Sequence, residues 1–155
     1  MQLSIYSDEY FMREALKEAQ RAFDADEVPV GAVVVCNNQI IARAHNLTET
    51  LNDVTAHAEM QAFTSASNFL GGKYLDECVL YVTLEPCIMC AGAAGWAQLG
   101  RLVFGAFDKQ KGYTSIQGNL PAGKAGILHP KTKIHSGILY EECAALIKEF
   151  FKGKR

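Results

Sequence analysis

The 155-residue sequence has no run approaching the roughly 18 consecutive apolar residues that a membrane-spanning helix needs. Its first eight residues, Met1 to Asp8, lack a basic segment followed by an apolar one, so a cleaved signal peptide is not expected. With neither feature present, we expect a cytoplasmic protein without a membrane partner. The length is typical of a single domain, which we expect to span residues 1–155.

The sequence also has few cysteines, and disulfide bonds are not expected. Five cysteines are an odd number, in a chain that we expect in a reducing compartment. Three of them lie in apolar segments and are predicted to pack in the core: Cys36, Cys78 and Cys143. The other two, Cys87 and Cys90, form a Cys-x-x-Cys pair and need a separate explanation.

Net charge is small, at −2, but the charges are unevenly distributed along the chain. Residues 1–108 contain 6 basic and 14 acidic side chains, whereas residues 109–155 contain 9 basic and 3 acidic ones. A basic C-terminal part on a mildly acidic body indicates contact with a polyanion. The alternative interpretation is an ordinary solvated surface.

Hydrophobic periodicity predicts alternating helices and strands, with Ser7 as a favourable N-cap for the first helix. The predicted elements are a helix to Phe23, strands over 30–35 and 39–42 joined by Asn37-Asn38, a helix capped by Asp53 or Thr55, a strand over 78–83, a helix over 86–97, strands over 101–105 and 133–135, and a helix over 139–150. Successive strand–helix units favour an α/β fold with parallel strands in its second half. Residues 106–131, rich in glycine and lysine, are predicted to form a long loop.

Two motifs with metal-binding side chains lie where a strand or loop enters a helix. Residues 55–59 contain His57 and Glu59, and residues 85–90 contain Cys87 and Cys90. Thiols at a helix N-terminus have lowered pKa values and therefore bind as thiolates. One imidazole and two thiolates make three protein ligands, which is the number that a catalytic zinc site uses.

Glu59 lies two residues after His57 and is a candidate proton carrier beside the metal. The order His-x-Glu followed by Pro-Cys-x-x-Cys is the described pattern of zinc nucleobase deaminases. A structural zinc site remains an alternative if His45, His129 or His135 supplies a fourth ligand. A redox pair or a non-catalytic zinc module leaves Glu59 unexplained.

The chain resembles the cytidine/deoxycytidylate deaminase superfamily over nearly its whole length, and within it most resembles the bacterial tRNA-specific adenosine deaminases. The segments that carry the resemblance are residues 27–33, 55–60, 80–93, 103–106 and 142–151. The resemblance implies a three-layer α/β/α fold with a five-stranded mixed sheet, and a zinc-containing homodimer. It also implies conversion of the wobble adenosine in a tRNA anticodon loop to inosine.

The resemblance assigns roles to individual residues. His57, Cys87 and Cys90 match the family's zinc ligands, and Glu59 matches the proton shuttle for attack by zinc-bound hydroxide on the ring carbon that carries the amine. Expected substrate contacts are Asn46, Val28, Pro29, Ala58 and Asp108. Simpler interpretations stay open for two of them, since Asn46 could end a hairpin strand and Asp108 could cap a turn.

The resemblance weakens after Ala93. Residues 94–98 read Ala-Gly-Trp-Ala-Gln, without the histidine and arginine that tRNA adenosine deaminases often have there, and look more like guanine deaminases. A free nucleobase, guanine or cytosine, is therefore the alternative substrate. Trp96 is then either a base-stacking residue or part of a packing or dimer surface.

Overall fold

A computed structural model describes residues 6–118 and 126–154 of the chain. In chain order the elements are α1 (Asp8–Asp24), β1 (Gly31–Cys36), β2 (Gln39–His45), α2 (Ala58–Leu70), β3 (Cys78–Leu84), α3 (Ile88–Trp96), β4 (Arg101–Ala106), α4 (Tyr113–Gln117), β5 (Lys133–Ser136) and α5 (Tyr140–Lys152). The described residues contain no helix that is both long and apolar enough to cross a membrane.

The five strands form one mixed sheet in the order β2-β1-β3-β4-β5. Strand β1 runs antiparallel to both β2 and β3, whereas β3, β4 and β5 are mutually parallel. The expected α/β fold with a five-stranded mixed sheet is therefore confirmed. Because β3 and β4 are parallel neighbours, the segments that follow them leave the sheet at the same end, where both strands have their carboxyl termini.

Alternation along β1 divides the core into two layers. Val33 packs with Met12 and Ala15 of α1 on one face of the sheet. Val34 packs on the other face, in a cluster that includes Ala62 of α2 and Ala91 of α3. Helices therefore cover both faces, and the continuous apolar run of β1 is what a strand buried on both sides requires.

The first turn of α1 is held by an N-cap and by hydrogen bonds to the sheet. The Ser7 hydroxyl accepts a hydrogen bond from the Tyr10 backbone N–H at 3.1 Å, which confirms the predicted N-cap. Arg101 donates two hydrogen bonds to the Asp8 carboxylate, at 2.8 and 2.6 Å, and the Tyr81 hydroxyl donates another at 2.8 Å. These contacts attach the first turn of α1 to β3 and β4.

The predicted cap of α2 is wrong. This helix begins at Ala58 with His57 at the N-cap position, and no side chain caps it. The Asp53 carboxylate instead accepts hydrogen bonds from the backbone N–H and the hydroxyl of Thr55, at 2.8 and 2.7 Å. Both candidate caps are thus engaged in a local turn upstream of the helix.

The predicted long loop over residues 106–131 is only partly correct. The structure has a short helix, α4, within it, and Tyr113 at the start of this helix is buried. Residues 119–125 of the predicted loop lie outside the described residues.

The predicted Asn37-Asn38 turn is confirmed by φ values of 51° and 59°, the left-handed conformation that asparagine tolerates.

Candidate metal and substrate site

Two helix N-termini bring the predicted metal-binding side chains together. His57 is at the N-cap of α2, Cys87 is at the N-cap of α3, and Cys90 lies in the first turn of α3. The His57 Nδ1 atom is 3.6 Å from the Sγ atoms of both cysteines. All three ligand atoms lie within 4.8 Å of one another.

This donor set fits a zinc ion. Ligands at about 2.0–2.3 Å from a tetrahedral ion are separated from each other by about 3.5 Å, close to the measured Nδ1–Sγ distances. One imidazole and two thiolates are also a ligand combination that catalytic zinc uses. No other comparable group of histidine, cysteine and acidic side chains is found within residues 6–118 and 126–154.

The two thiols differ in acidity. Hydrogen bonds from Cys90 and His57 lower the pKa of Cys87 to about 4. The hydrogen bond with Cys87, together with burial, raises the pKa of Cys90 above its ordinary value. Zinc binds thiolates, so metal binding releases the proton of a cysteine that is still a thiol.

Glu59 lies beside this cluster in the first turn of α2 and is 4% exposed. Burial raises the pKa of Glu59 to about 7. A carboxyl group that titrates near neutral pH can both accept and return a proton during a reaction.

A cavity of about 260 Å³ opens onto these residues. It is lined by His57, Glu59 and Cys87 together with nine further residues: Val28, Val30, Ala58, Leu84, Asn46, Thr48, Glu85, Asp108 and Lys111. Eight of these twelve residues have polar or ionisable side chains, but most of the lining surface is apolar. Such a cavity suits one flat heterocycle.

Four of the five expected substrate contacts line this cavity: Val28, Asn46, Ala58 and Asp108. Pro29 is the exception, because it is buried but does not line the cavity. Pro29 lies between Val28 and Val30 in a tight turn, in which the Val30 N–H donates to the Val28 carbonyl at 2.8 Å, and only its two neighbours line the cavity.

The simpler interpretations of Asn46 and Asp108 are compatible with their position at the cavity. Asn46 directly follows β2, and its Oδ1 accepts the Thr48 backbone N–H at 3.3 Å. Asp108 Oδ1 accepts the backbone N–H groups of Gln110 and Lys111, at 3.1 and 3.0 Å. Each side chain thus shapes its own loop and also lines the cavity.

Two buried acidic residues near the cavity, Glu27 and Glu85, are not predicted as functional from the sequence. Glu27 is fully buried, and its two oxygens accept the backbone N–H groups of Glu49 and Thr50 at 3.0 and 2.7 Å. Glu85 is 3% exposed and lines the cavity itself. An isolated acidic residue between apolar neighbours, as in Leu84-Glu85-Pro86, was the available signal.

The other histidines do not join the cluster. His45 Nδ1 is 3.7 Å from Glu18 Oε1, and the remaining two rings accept hydrogen bonds from the Lys131 backbone (His129) and the Arg101 side chain (His135). A fourth protein ligand from His45, His129 or His135 is therefore not found.

Trp96 does not reach the cavity either. It lies at the end of α3, is 87% exposed, and is absent from the cavity lining. Trp96 therefore does not stack on a base held in this cavity by this chain.

The fold and the site together define a metal-dependent class: a three-ligand His-Cys-Cys centre with a buried carboxyl group, at one edge of a mixed sheet covered by helices on both faces. The profile described as the cytidine and deoxycytidylate deaminase zinc-binding region matches residues 5–106. The chain belongs to the cytidine and deoxycytidylate deaminase family, which confirms the resemblance found in its motifs.

Similar proteins in this family include tRNA-specific adenosine deaminases and a guanine deaminase. The chain is 45% identical over 148 residues to a protein named tRNA-specific adenosine deaminase from Bacillus subtilis (strain 168), with 96% of this chain and 91% of that protein covered. A solved structure from a study of A-to-I editing by tRNA:A34 deaminases at the wobble position of transfer RNA has a TM-score of 0.79 and 42% identity, covering 88% of this chain and 98% of that chain. A guanine deaminase from Bacillus subtilis is also similar, with a TM-score of 0.60 and 38% identity over 71% of this chain and 68% of that chain.

Proposed function

We propose that this chain is one zinc-dependent deaminase domain that hydrolyses the wobble adenosine of a tRNA anticodon loop to inosine, in the cytoplasm. The observation that carries the proposal is that buried Glu59 lines a cavity together with His57 and Cys87, two of the three clustered metal-binding residues. The similarity to tRNA-specific adenosine deaminases, which spans nearly the whole of both chains, supports the choice of substrate.

The reaction adds water to the base and releases ammonia, and it requires at least two proton transfers. His57, Cys87 and Cys90 would hold the zinc ion, which when bound lowers the pKa of water toward neutrality and so supplies a nucleophile. Glu59 would carry a proton from the attacking water to ring nitrogen N1 and then deliver a proton to the departing amine. Its pKa of about 7 suits both transfers.

The cavity walls would hold the adenine ring and determine its orientation. Val28 and Leu84 provide apolar surface, and the side-chain amide of Asn46 provides a hydrogen-bonding group for the base edge. The base reaches such a cavity only when it is unstacked and turned out of its strand, which costs least in a single-stranded loop. An anticodon loop meets that requirement.

Two lysines at the cavity end of the sheet would contact the RNA backbone. Lys109 and Lys111 are exposed and lie in the segment after β4, and Lys111 lines the cavity. Lys131 and Lys133 are exposed near the amino end of β5. Lys133 lies beside Arg101 in the strand register, at the amino end of β4 and therefore at the end of the sheet away from the cavity. These four lysines are therefore divided between the two ends of the sheet, and the pair at the cavity end is the one that suits RNA docking.

A homodimer is part of the proposal. Helix α3 leaves two large apolar side chains in solvent, Ile88 at 50% and Trp96 at 87% exposure. A second copy that packs on α3 would remove both from water. The family resemblance implies the same assembly.

Deamination of a free nucleobase is the second candidate function. The similarity to a guanine deaminase favours it, as do residues 94–98. Against it, the one tryptophan that suggested a base-stacking pocket lies outside the cavity. A free base also gives no role to the exposed lysines beside the cavity.

Mass spectrometry of products distinguishes the two functions. Zinc-loaded protein is incubated in parallel with an anticodon stem-loop containing a wobble adenosine, with guanine and with cytosine. Inosine in the stem-loop with both free bases unchanged is the expected result. Xanthine or uracil formation with an unreacted stem-loop would instead establish a nucleobase deaminase.

A further inference from the structure

The proposed chemistry leaves one buried acidic residue of the cavity without a role. Glu85 directly follows β3 and lies two residues before Cys87. It is 3% exposed and forms part of the cavity lining. Burying a carboxylate is costly unless hydrogen bonds compensate for lost water, so its partners should reveal what it does.

All of its side-chain hydrogen-bond partners come from one segment, residues 108–114. Glu85 Oε1 accepts the Asp108 backbone N–H at 3.1 Å. Glu85 Oε2 accepts the backbone N–H and the hydroxyl of Thr114, at 3.0 and 2.5 Å. No salt bridge to Glu85 is found within the described ranges. The carboxylate therefore binds both ends of a loop instead of pairing with a cation.

Gly112, in the middle of this segment, lies in close contact with the Glu85 carboxylate. A Cβ atom added to Gly112 would lie 2.4 Å from Glu85 Cδ and Oε1, and 2.4 Å from the Asp108 carbonyl oxygen. Gly112 forms an isolated antiparallel bridge with Cys87, and the Tyr113 N–H donates to the Pro86 carbonyl at 2.9 Å. The segment therefore packs directly against residues 86–87, which connect β3 to the helix that contains Cys90.

Residues 108–114 supply two groups at the rim of the cavity, Asp108 and Lys111. These two are also linked to each other, because the Asp108 carboxylate accepts the Lys111 backbone N–H. Because Glu85 binds the Asp108 backbone and Asp108 binds the Lys111 backbone, Glu85 determines the positions of both residues at the cavity.

We propose that Glu85 is a positioning residue, which fixes residues 108–114 so that Asp108 and Lys111 meet the sugar–phosphate backbone beside the base in the cavity. The proposal rests on the proposed RNA substrate. A carboxylate suits this role because both of its oxygens accept hydrogen bonds. Glutamine keeps one such oxygen and turns an NH2 donor toward the Thr114 N–H, so one end of the loop loses its anchor.

The test compares Glu85→Gln with Glu77→Gln. Glu77 is exposed and immediately precedes β3, so the control removes the same charge at the opposite end of the same strand. For the anticodon stem-loop, we expect Glu85→Gln to raise KM about tenfold while it keeps stoichiometric zinc and a nearly unchanged kcat. Glu77→Gln should match the wild type.

Amide hydrogen exchange gives a second readout that does not depend on activity. In Glu85→Gln, the amides of Asp108 and Thr114 should exchange faster, while those of α2 and β1 keep their wild-type rates. Thr114→Val removes only the hydroxyl hydrogen bond and should change KM in the same direction by a smaller factor. This variant carries the test if Glu85→Gln does not fold.

Two results would overturn the proposal. One is an unchanged KM together with unchanged exchange in residues 108–114 of Glu85→Gln. The other is loss of zinc from Glu85→Gln while Thr114→Val behaves as wild type, which would make Glu85 a support of the metal site instead. A wild-type protein that does not act on the stem-loop refutes the RNA substrate, and the exchange measurement still decides whether Glu85 holds the segment.

Discussion

At the scale of single residues, the metal-binding side chains are placed by helix N-termini. His57 and Cys87 occupy N-cap positions with extended backbone conformation, and neither side chain caps its own helix. Their side chains are free to converge with that of Cys90, from the first turn of α3, as the third group. The spacing of Cys87 and Cys90 is local and visible in the sequence, whereas the approach of His57, 30 residues before Cys87, depends on how α2 packs near α3.

Cys87→Ala should abolish stoichiometric zinc binding. The variant leaves two of three protein ligands, and we expect zinc affinity to fall by at least about a hundredfold, since loss of a mere supporting contact already costs about ten- to a hundredfold. The matched control is Cys36→Ala, which removes a half-buried thiol in β1. Metal analysis of the two purified variants tests this prediction, and one zinc per chain in Cys87→Ala would show that another residue is the ligand.

Asp8→Asn should weaken the fold in a pH-dependent way. The hydrogen bonds from Arg101 hold the pKa of Asp8 below its ordinary value of 3.8. The contribution of Asp8 is therefore fully present above that value and is lost as the pH falls through the lower pKa of the folded state. Because the pair is partly exposed, we expect a loss of about 1 kcal/mol at pH 7.

Urea unfolding of wild type and Asp8→Asn at pH 7 and at pH 3 measures this difference. The difference in the free energy of unfolding should be smaller at pH 3 than at pH 7. A difference that is as large at pH 3 as at pH 7 would mean that packing, and not the ionised carboxylate, accounts for the effect.

Buried Glu27 and Glu85 show why part of the site could not be predicted from the sequence. Their partners are backbone N–H groups 22 to 29 positions away in the chain. Backbone donors are present at nearly every residue, so no side-chain pattern marks which of them will face a buried carboxylate. Only the folded chain identifies these contacts.

At the scale of elements, apolar periodicity was sufficient for the long helices and the strands but not for short or locally capped segments. Helix α4 has five residues, fewer than the two turns that an apolar stripe needs to become visible. The start of α2 was predicted wrongly because Asp53 and Thr55 are favourable caps that bond to each other instead.

Gly31→Ala tests the packing of α1 against β1. A Cβ at this position would lie 2.1 Å from the Ala15 carbonyl oxygen and 2.3 Å from the Ala19 nitrogen, both backbone atoms of α1. The helix would have to move away from the sheet, and we expect a loss of at least about 3 kcal/mol in the free energy of unfolding.

Gly72→Ala is the control, because a Cβ there meets nothing within 4 Å. This variant should be as stable as the wild type or slightly more so. Thermal and urea unfolding of the two variants provide the comparison. Equal stability of Gly31→Ala and the wild type would contradict the close approach of α1 to β1.

At the scale of the whole molecule, four lysines of the basic C-terminal part lie in two pairs at opposite ends of the sheet. The lysines at the cavity end are Lys109 and Lys111, and those near the amino ends of the parallel strands are Lys131 and Lys133. Counting charges along the chain could not separate these groups, because the separation depends on the direction of β4 and β5.

Replacing Lys109 and Lys111 together by alanine should weaken binding of the stem-loop and reduce its salt dependence. For a single strand, the slope of log K against log salt changes by about 0.7 for each phosphate contact that is lost. The Lys131 and Lys133 double variant removes the same charge at the other end and should bind as the wild type does. Equal weakening by both double variants would indicate a diffuse electrostatic attraction and no defined docking end.

The central claim is that Glu59, beside the zinc ligands, performs hydrolytic deamination of a wobble adenosine. The most direct measurement is single-turnover inosine formation in an anticodon stem-loop by the wild type and Glu59→Gln, with zinc content determined for both. We expect the wild type to convert the adenosine, and Glu59→Gln to retain zinc while its rate falls by about 10²- to 10⁴-fold. A zinc-loaded wild type that forms no inosine, or a Glu59→Gln variant that reacts at the wild-type rate, would contradict the account.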